Sequence, residues 1–418
     1  MHRQLRHLCG LASTSTTAEV PFYPMPRAQG CPFVPAPGVR EIAATGPISK
    51  VRTWEGKTAW LVTGHAEART LFADPNVLLD NKHPDFPHTN PSMKAVAELS
   101  PRTMLNSDGA EHARFRRMLA KPFTPKRLET LRPLIRKHVD ERIDAMLAAG
   151  RSADLVTSLA LPVSSEVICE LLGVPYEDHA FFETLTATGF DSATSVEESA
   201  QNTLRMLDYL NKLILAKAEK PGEDTLSDMA ELVGAGELQP WEATMEAVGL
   251  LAAGHETTAN MIALGVVALL ESPEQLALIR DTDDPRVLTN AVDELARYLS
   301  IPHIGLRRVA VADIDVADET IRAGDAIIFD IGVANWSESV FPDPDRIDLT
   351  RSNAAQHLSF GAGRHNCIGL QLARIELSIT LQTLFRRIPD LRLTAAIDEL
   401  DFKEDAMVYG LKALPVEW

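Results

Sequence analysis

Between residues 111 and 236 apolar positions recur every three or four residues, as in Leu128–Leu131–Leu134–Ile135 and Val163–Val167–Leu171. That spacing predicts a run of amphipathic helices. Pro240 opens a longer helix that runs to about Glu271, ahead of Ser272-Pro273. Its stretch Val248–Leu270 is the most apolar of the chain and long enough to span a bilayer. His255, Glu256 and Asn260 sit near the middle of it, and insertion into lipid would penalise them heavily. The stretch therefore reads as a helix buried in the centre of a protein. Further helices are expected at Asp284–Tyr298 and from near Cys367 to just before Pro389.

Alternation takes over elsewhere. Ile48–Trp54 and Thr58–Thr63 flank the three-residue turn Glu55-Gly56-Lys57 and predict a hairpin. Short strands are expected at Arg308–Val311, Asp313–Val316, Ala326–Phe329, Leu391–Leu393 and Gly410–Pro415. Six prolines between Pro21 and Pro37 mark an extended lead-in. Residues 76–100, rich in Pro, His and Asn, lack periodicity and read as a long functional loop. No internal repeat or low-complexity linker appears. The pattern predicts one mainly α domain with a minor β part over residues 30–418, behind a disordered tail at 1–29. Within that tail, residues 1–20 carry Arg3, Arg6 and a Ser/Thr run, a transit-like composition with no apolar core for a secretory signal.

Composition narrows the class. With 45% hydrophobic and 24% charged residues, the 418-residue chain is neither disordered nor fibrous. Its formal net charge of −17 argues against nucleic acid and anionic membranes as partners. The four cysteines, Cys9, Cys31, Cys169 and Cys367, are far apart. That spacing excludes a Cys-rich zinc site and fits a reducing compartment, which points to the cytoplasm.

The sharpest chemical signal is Phe360-Gly361-Ala362-Gly363-Arg364-His365-Asn366-Cys367-Ile368-Gly369. A glycine-rich loop leads into a helix, and Cys367 is expected at that helix's N-terminus. The dipole and unsatisfied N–H groups there favour a thiolate, and amides approaching the sulfur tune its donor strength. A thiolate so held is what a haem iron needs for oxygen chemistry. The pattern Phe-x-x-Gly-x-His-x-Cys-x-Gly resembles the haem-thiolate signature of the cytochrome P-450 superfamily, and the resemblance extends from about Gly30 to Trp418.

That resemblance implies the superfamily's fold, a triangular helical domain with small sheets and haem b (iron protoporphyrin IX) between the central long helix and the Cys-loop helix. It implies Cys367 as the iron ligand. Glu294-Leu295-Ala296-Arg297 resembles the family's Glu-x-x-Arg, whose charges pair at i, i+3 and join a residue in the segment before the Cys loop. Ala253-Gly254-His255-Glu256-Thr257-Thr258 resembles the oxygen-activation segment of the central helix. Gly254 loosens the helix locally. Thr257 is expected to hold a water or open a groove instead of bonding the preceding turn, and Glu256 to relay protons through that water. His112 and Arg116, in a stretch that departs from the family pattern at Gly109 and Ala110, are the expected propionate partners with Arg308 and His365, and Phe360 flanks the haem. Phe341-Pro342-Asp343-Pro344-Asp345-Arg346 is similar to the family's meander. Ala334-Asn335-Trp336-Ser337 replaces the usual Ala-Asn-Arg-Asp and loses a common cation.

The soluble bacterial branch implies a monomer, often in secondary metabolism, that inserts one atom of O2 into a mid-sized apolar organic substrate. Electrons from NAD(P)H would arrive through a reductase and a ferredoxin docked on Arg114, Arg117, Lys121, Lys126 and Arg127. Pocket contacts are expected from the stretches Asp80–Leu105, Phe181–Leu207, Ile301–Leu306 and Asp405–Val408 and from the central helix near Leu250 and Ala253, with Ile304, Leu306, Met407 and Val408 as apolar lining. An NADH-dependent nitric oxide reductase of the fungal haem-thiolate type stays open, because Asn260–Val266 and Leu171–Pro175 resemble that branch. Against it, Glu256 is present, and the loop around Phe86-Pro87 offers only Lys82 and His83 as cations for a pyrophosphate. A non-catalytic haem protein would not need Glu256 and Thr257 beside Gly254.

Overall fold

The periodic segments fold as the helices their apolar spacing predicts. The computed structural model describes residues 20–28, 32–178, 181–182, 196–404 and 406–418. The expected N-terminal tail therefore lies almost wholly outside the described residues, as does part of the expected pocket stretch Phe181–Leu207. The central helix runs Pro240–Leu270, and Ala259, Ile262, Leu264, Val266, Val267 and Leu269 on it are buried. Among the described residues no single helix is long and apolar enough to cross a membrane.

The chain's contacts group into two units. One takes the residues up to Ser100, Leu264–Cys367 and Leu393–Lys412. The other takes Pro101–Ala263, Ile368–Arg392 and Ala413–Trp418.

The first unit is organised on a five-stranded sheet in the order Ile48–Arg52, Thr58–Val62, Ala326–Phe329, Leu306–Ala310, Val77–Leu78. The first two strands are the expected hairpin, with Gly56 at φ 77° in the turn, where a residue without Cβ is unstrained. Thr58–Val62 pairs parallel with Ala326–Phe329, and the other ladders are antiparallel. Side chains alternate between faces. Tyr23, Val51, Ala59, Leu61 and Ile328 pack on one face. Trp60, Val62, Phe72, Ile327 and Phe329 pack on the other. The helix Pro285–Leu299 buries one full side, from Ala291 and Val292 to Leu295, Ala296 and Leu299.

In the second unit the helix Pro125–Ala149 packs on Leu161–Leu172 and on Leu370–Arg387. Leu128, Leu131, Ile135, Val139 and Ile143 make its buried stripe, whereas Leu134, placed on that stripe by spacing, is 36% exposed. Ser152–Asp154 pairs antiparallel with Pro415–Glu417.

Several expectations are corrected. Residues 76–100 are not one loop: Val77–Leu78 joins the sheet, and Pro91–Leu99 is a helix. Asn90 caps that helix by accepting from the Met93 amide at 2.9 Å, and Pro91 stands at its first position, where its missing N–H costs nothing. The helical run at 111–236 is interrupted by the strand Ser152–Asp154. The last strand lies at Pro415–Glu417, later than Gly410–Pro415, because Leu414 and the residues after it find partners near Asp154. Glu319–Ile321, too short to show a period, pairs with Ile314–Val316.

Candidate functional site

The Cys loop belongs to the first unit, and its path is set by what cannot be added to it. Gly363 has φ 68°, and a Cβ on it would lie 2.3 Å from the Phe72 carbonyl oxygen. Only glycine lets the loop lie on the helix His65–Ala73. Arg364 fastens the same contact, donating to the carbonyls of Asp74 at 3.2 Å and Val77 at 2.8 Å. The amide of Cys367 donates to the Phe360 carbonyl at 2.9 Å and closes the loop. Cys367 does not sit inside the helix terminus as expected. The helix begins at Leu370 with Gly369 as its N-cap, and a 3-10 turn at Gly363–His365 precedes the cysteine. Of the two described cysteines, Cys367 is exposed and Cys169 is fully buried.

Behind this loop stands the Glu294–Arg297 pair. Arg297 donates from Nε and Nη2 to the two oxygens of Glu294, each at 2.8 Å, and both side chains are 0% exposed. The remaining donors of Arg297 reach the carbonyls of Asn335, Pro344 and Arg346 at 3.0–3.2 Å. The third member is Arg351, whose Nε donates to Glu294 at 3.1 Å and whose Nη1 donates to the Pro342 carbonyl at 2.6 Å. Sequence reasoning expected a partner before the Cys loop but did not name Arg351. The signal was there: one arginine five residues past Phe341–Arg346. Asn335 continues the network to Ser300, Ser359 and the Leu358 amide. At Trp336 the indole stacks on Tyr298 with centroids 5.8 Å apart, so ring packing stands where the family pattern leads one to expect a cation.

Arg308 is buried on the strand Leu306–Ala310, and its guanidinium lies 5.6 Å from the Phe72 ring centroid, on the Cys-loop side of the sheet. Phe360, His365 and Arg308 thus belong with Cys367 in the first unit. Ile304 and Leu306 are there too, Ile304 buried and Leu306 packed against the Phe72 cluster, with Met407 exposed and Val408 half-buried.

Gly254, Glu256, Thr257, His112 and Arg116 lie in the second unit, as do Leu250 and Ala253. A Cβ on Gly254 would come within 2.6 Å of Ile168 Cδ1, so the glycine serves close packing on Leu161–Leu172. Glu256 is buried, and Asn260, one turn on, donates to its Oε1 at 3.0 Å. Thr257 departs from expectation: its hydroxyl donates to the Ala253 carbonyl at 2.6 Å, bonding the preceding turn. The donor is used, which leaves the hydroxyl oxygen as an acceptor. His112 is buried on the helix Gly109–Met118, with Arg116 one turn further. Leu250 is buried and Ala253 exposed.

The basic cluster is smaller than its sequence suggests. Arg114 is paired with Glu242 and donates to the Glu237 carbonyl at 3.0 Å. Lys121 is paired with Asp228 at 2.5 Å. Arg117 and Lys126 remain exposed, with Arg127 half-buried.

Two buried acids escaped sequence reasoning. Glu246, on the central helix, accepts from the Met104 amide at 2.7 Å, and burial raises its pKa to about 7. Glu376, on Leu370–Arg387, is raised by burial to about 8, and its Oε1 has no partner. Each is a single acid in an apolar helical register, which gives no pattern to find.

Iron protoporphyrin IX needs an axial thiolate and cations for two propionates. Within the first unit, an exposed cysteine on a backbone-locked loop, with Arg308 and His365, is a donor set of that kind.

The sequence model of the family "Cytochrome P450" matches residues 190–389. The chain is 50% identical over 406 residues to cytochrome P450 CYP105Q4 of Mycobacterium marinum, covering 97% of this chain and 98% of that one. It is 46% identical to cytochrome P450 GfsF of Streptomyces halstedii, whose crystal structure superposes with a TM-score of 0.91 over 96% of this chain and 100% of that chain. The mycinamicin VIII C21 methyl hydroxylase MycCI of Micromonospora griseorubida, solved with mycinamicin VIII bound, matches with a TM-score of 0.86 at 38% identity over 96% of this chain and all of that one.

Proposed function

The chain belongs to the cytochrome P450 family, and from that premise we propose that it inserts one oxygen atom from O2 into a mid-sized apolar secondary metabolite, with Glu256 and Thr257 supplying the proton path and a ferredoxin the electrons. The coarser activity is that of its family: a haem b monooxygenase that acts on organic substrates with O2 and redox partners. The comparisons give no support to the nitric oxide reductase reading.

Haem b, when bound, supplies the oxygen activation. Cys367 would hold its iron, and Arg308, His365, His112 and Arg116 its propionates. The observation that carries the reading is the pair on the central helix. Glu256 is a buried acid steadied by Asn260. The next residue is Thr257, whose hydroxyl orientation is fixed by Ala253. An acid beside an oriented acceptor is what a water needs to be held and to receive a proton. Leu250, Ile304, Leu306, Met407 and Val408 would bind an apolar substrate at about 25 cal/mol per Å² of surface removed from water. Arg117, Lys126 and Arg127 would meet an acidic ferredoxin, with Arg114 and Lys121 withdrawn from that role by their own ion pairs. The same reading makes the chain a cytoplasmic monomer with neither nucleic acid nor membrane as partner.

Substitution separates these roles. Glu256→Gln and Thr257→Val should keep the haem content of the parent but form about tenfold less product per NAD(P)H consumed. Parental coupling in both variants would refute the proton path.

A further inference from the structure

Four residues before Gly361 stands a buried histidine with no part in the proton path or the propionate contacts. His357 is 7% exposed and follows the 3-10 turn Ala354–Gln356. Its Nδ1 accepts from the Ser359 amide at 3.1 Å. A backbone N–H can only donate, so Nδ1 carries no proton and the ring proton sits on Nε2. Nε2 faces Asp293, a buried acid on the helix Pro285–Leu299, 3.7 Å from its Oδ1. That is too long for a hydrogen bond, yet close enough for the carboxylate to favour the proton on that side. One tautomer of the ring is thus fixed from both ends.

The bond from Ser359 shapes the backbone that leads into the Cys loop. A side-chain acceptor that takes the amide two residues on closes a turn, the part Asn and Asp often play. The turn is anchored on either side. His65 donates from Nε2 to the Gln356 carbonyl at 2.9 Å, and Asn335 accepts from the Leu358 amide at 2.7 Å. The Ser359 hydroxyl donates to the Ala296 carbonyl at 2.6 Å. What the turn delivers is Phe360. The His357 ring packs on the Phe360 ring with centroids 5.4 Å apart, and the Phe360 carbonyl accepts from the Cys367 amide at 2.9 Å.

We propose that His357 is a positioning residue for Cys367. Through Nδ1 it sets the turn that presents Phe360, and through the Phe360 carbonyl it holds the cysteine amide, so it fixes how strongly the thiolate donates to the haem iron. Contacts one step out from a metal ligand orient the ligand and tune the metal. His357 lies two steps out, joined to Cys367 by one printed turn and one amide bond. The inference rests on Cys367 as the iron ligand.

Redox titration of the full-length haem-loaded protein tests it, with hydrogen exchange at the Cys367 amide as the second readout. His357→Leu removes both the acceptor and the ring. His357→Phe keeps a ring and removes the acceptor, whereas His357→Asn keeps an acceptor for the Ser359 amide and removes the ring. Loss of one ordinary hydrogen bond changes an equilibrium about fivefold. His357→Leu and His357→Phe should therefore favour ferrous haem about fivefold over the parent, an upward shift of about 40 mV for one electron, because a looser thiolate stabilises ferric iron less. The Cys367 amide should exchange faster in both, and His357→Asn should bring both readouts back toward the parent. Parental potential and exchange in His357→Leu, or a His357→Asn that behaves as His357→Leu does, overturns the proposal. If Cys367→Ser keeps the thiolate-ligated absorption spectrum of the parent, the ligand assignment fails and takes the inference with it.

Discussion

Arg297 and Arg307 are ten residues apart in the first unit, the one fully buried and the other half-buried, and they hold their guanidinium groups in two ways. Arg297 is fully enclosed, with a bidentate Glu294 and three carbonyls, so its donors are matched. Arg307 has one carbonyl, no carboxylate among the described residues, and a buried Nε without an acceptor. A matched charge builds the fold around it. An unmatched one costs stability. The acids repeat the contrast: Glu294 is held by Arg297 and Arg351, whereas Glu376 is buried with an idle oxygen.

The largest test breaks the matched side. Arg297→Met leaves Glu294 with Arg351 as its one cation and frees the carbonyls of Asn335 and Pro344, while that of Arg346 keeps its bond from Arg351. It should destabilise by about 3–5 kcal/mol, read by urea unfolding, with loss of haem. The unmatched acid should respond to pH. Burial favours protonated Glu376 in the fold, so the stability it contributes is complete below about pH 4.5 and is lost as pH rises to about 8. Glu376→Gln should therefore stabilise the protein at pH 9 by roughly 3–5 kcal/mol and do little at pH 4. Thermal melts across that range check it, and a gain that does not depend on pH would remove burial as the cause. Glu246→Gln should remove a smaller fall in stability between pH 4.5 and about 7, because the Met104 amide keeps its acceptor while the titrating group is gone. The smallest effect belongs to the unmatched cation. Arg307→Met should stabilise by about 1 kcal/mol, opposite in sign to Arg297→Met. A loss comparable to that of Arg297→Met would erase the distinction between the two arginines.

Much of this was legible in the sequence, for physical reasons. The central helix announced itself through unbroken apolar length, and the hairpin through Gly56. The Cys loop was readable because Gly363 serves a backbone geometry that tolerates no Cβ and because glycines around a single cysteine make a pattern with few other readings. The helix Pro91–Leu99 was hidden because Asn90-Pro91 reads as a loop unless its capping bond is known. The Thr257 hydroxyl could turn either way, and only the structure shows it bonded to Ala253. Arg114 and Lys121 looked like a docking face because their partners, Glu242 and Asp228, lie more than a hundred residues away. Arg307 was invisible for the same reason in reverse: what distinguishes it is a missing partner.

The central claim is oxygen insertion, and isotope tracing tests it most directly. Full-length haem-loaded protein would be supplied with NAD(P)H, ferredoxin reductase, ferredoxin and a panel of macrolactones and apolar acids under 18O2. The account predicts product carrying one 18O atom per molecule, with formation depending on Glu256. Product that draws its oxygen from water, or cofactor oxidation with no labelled organic product from any member of the panel, would contradict it.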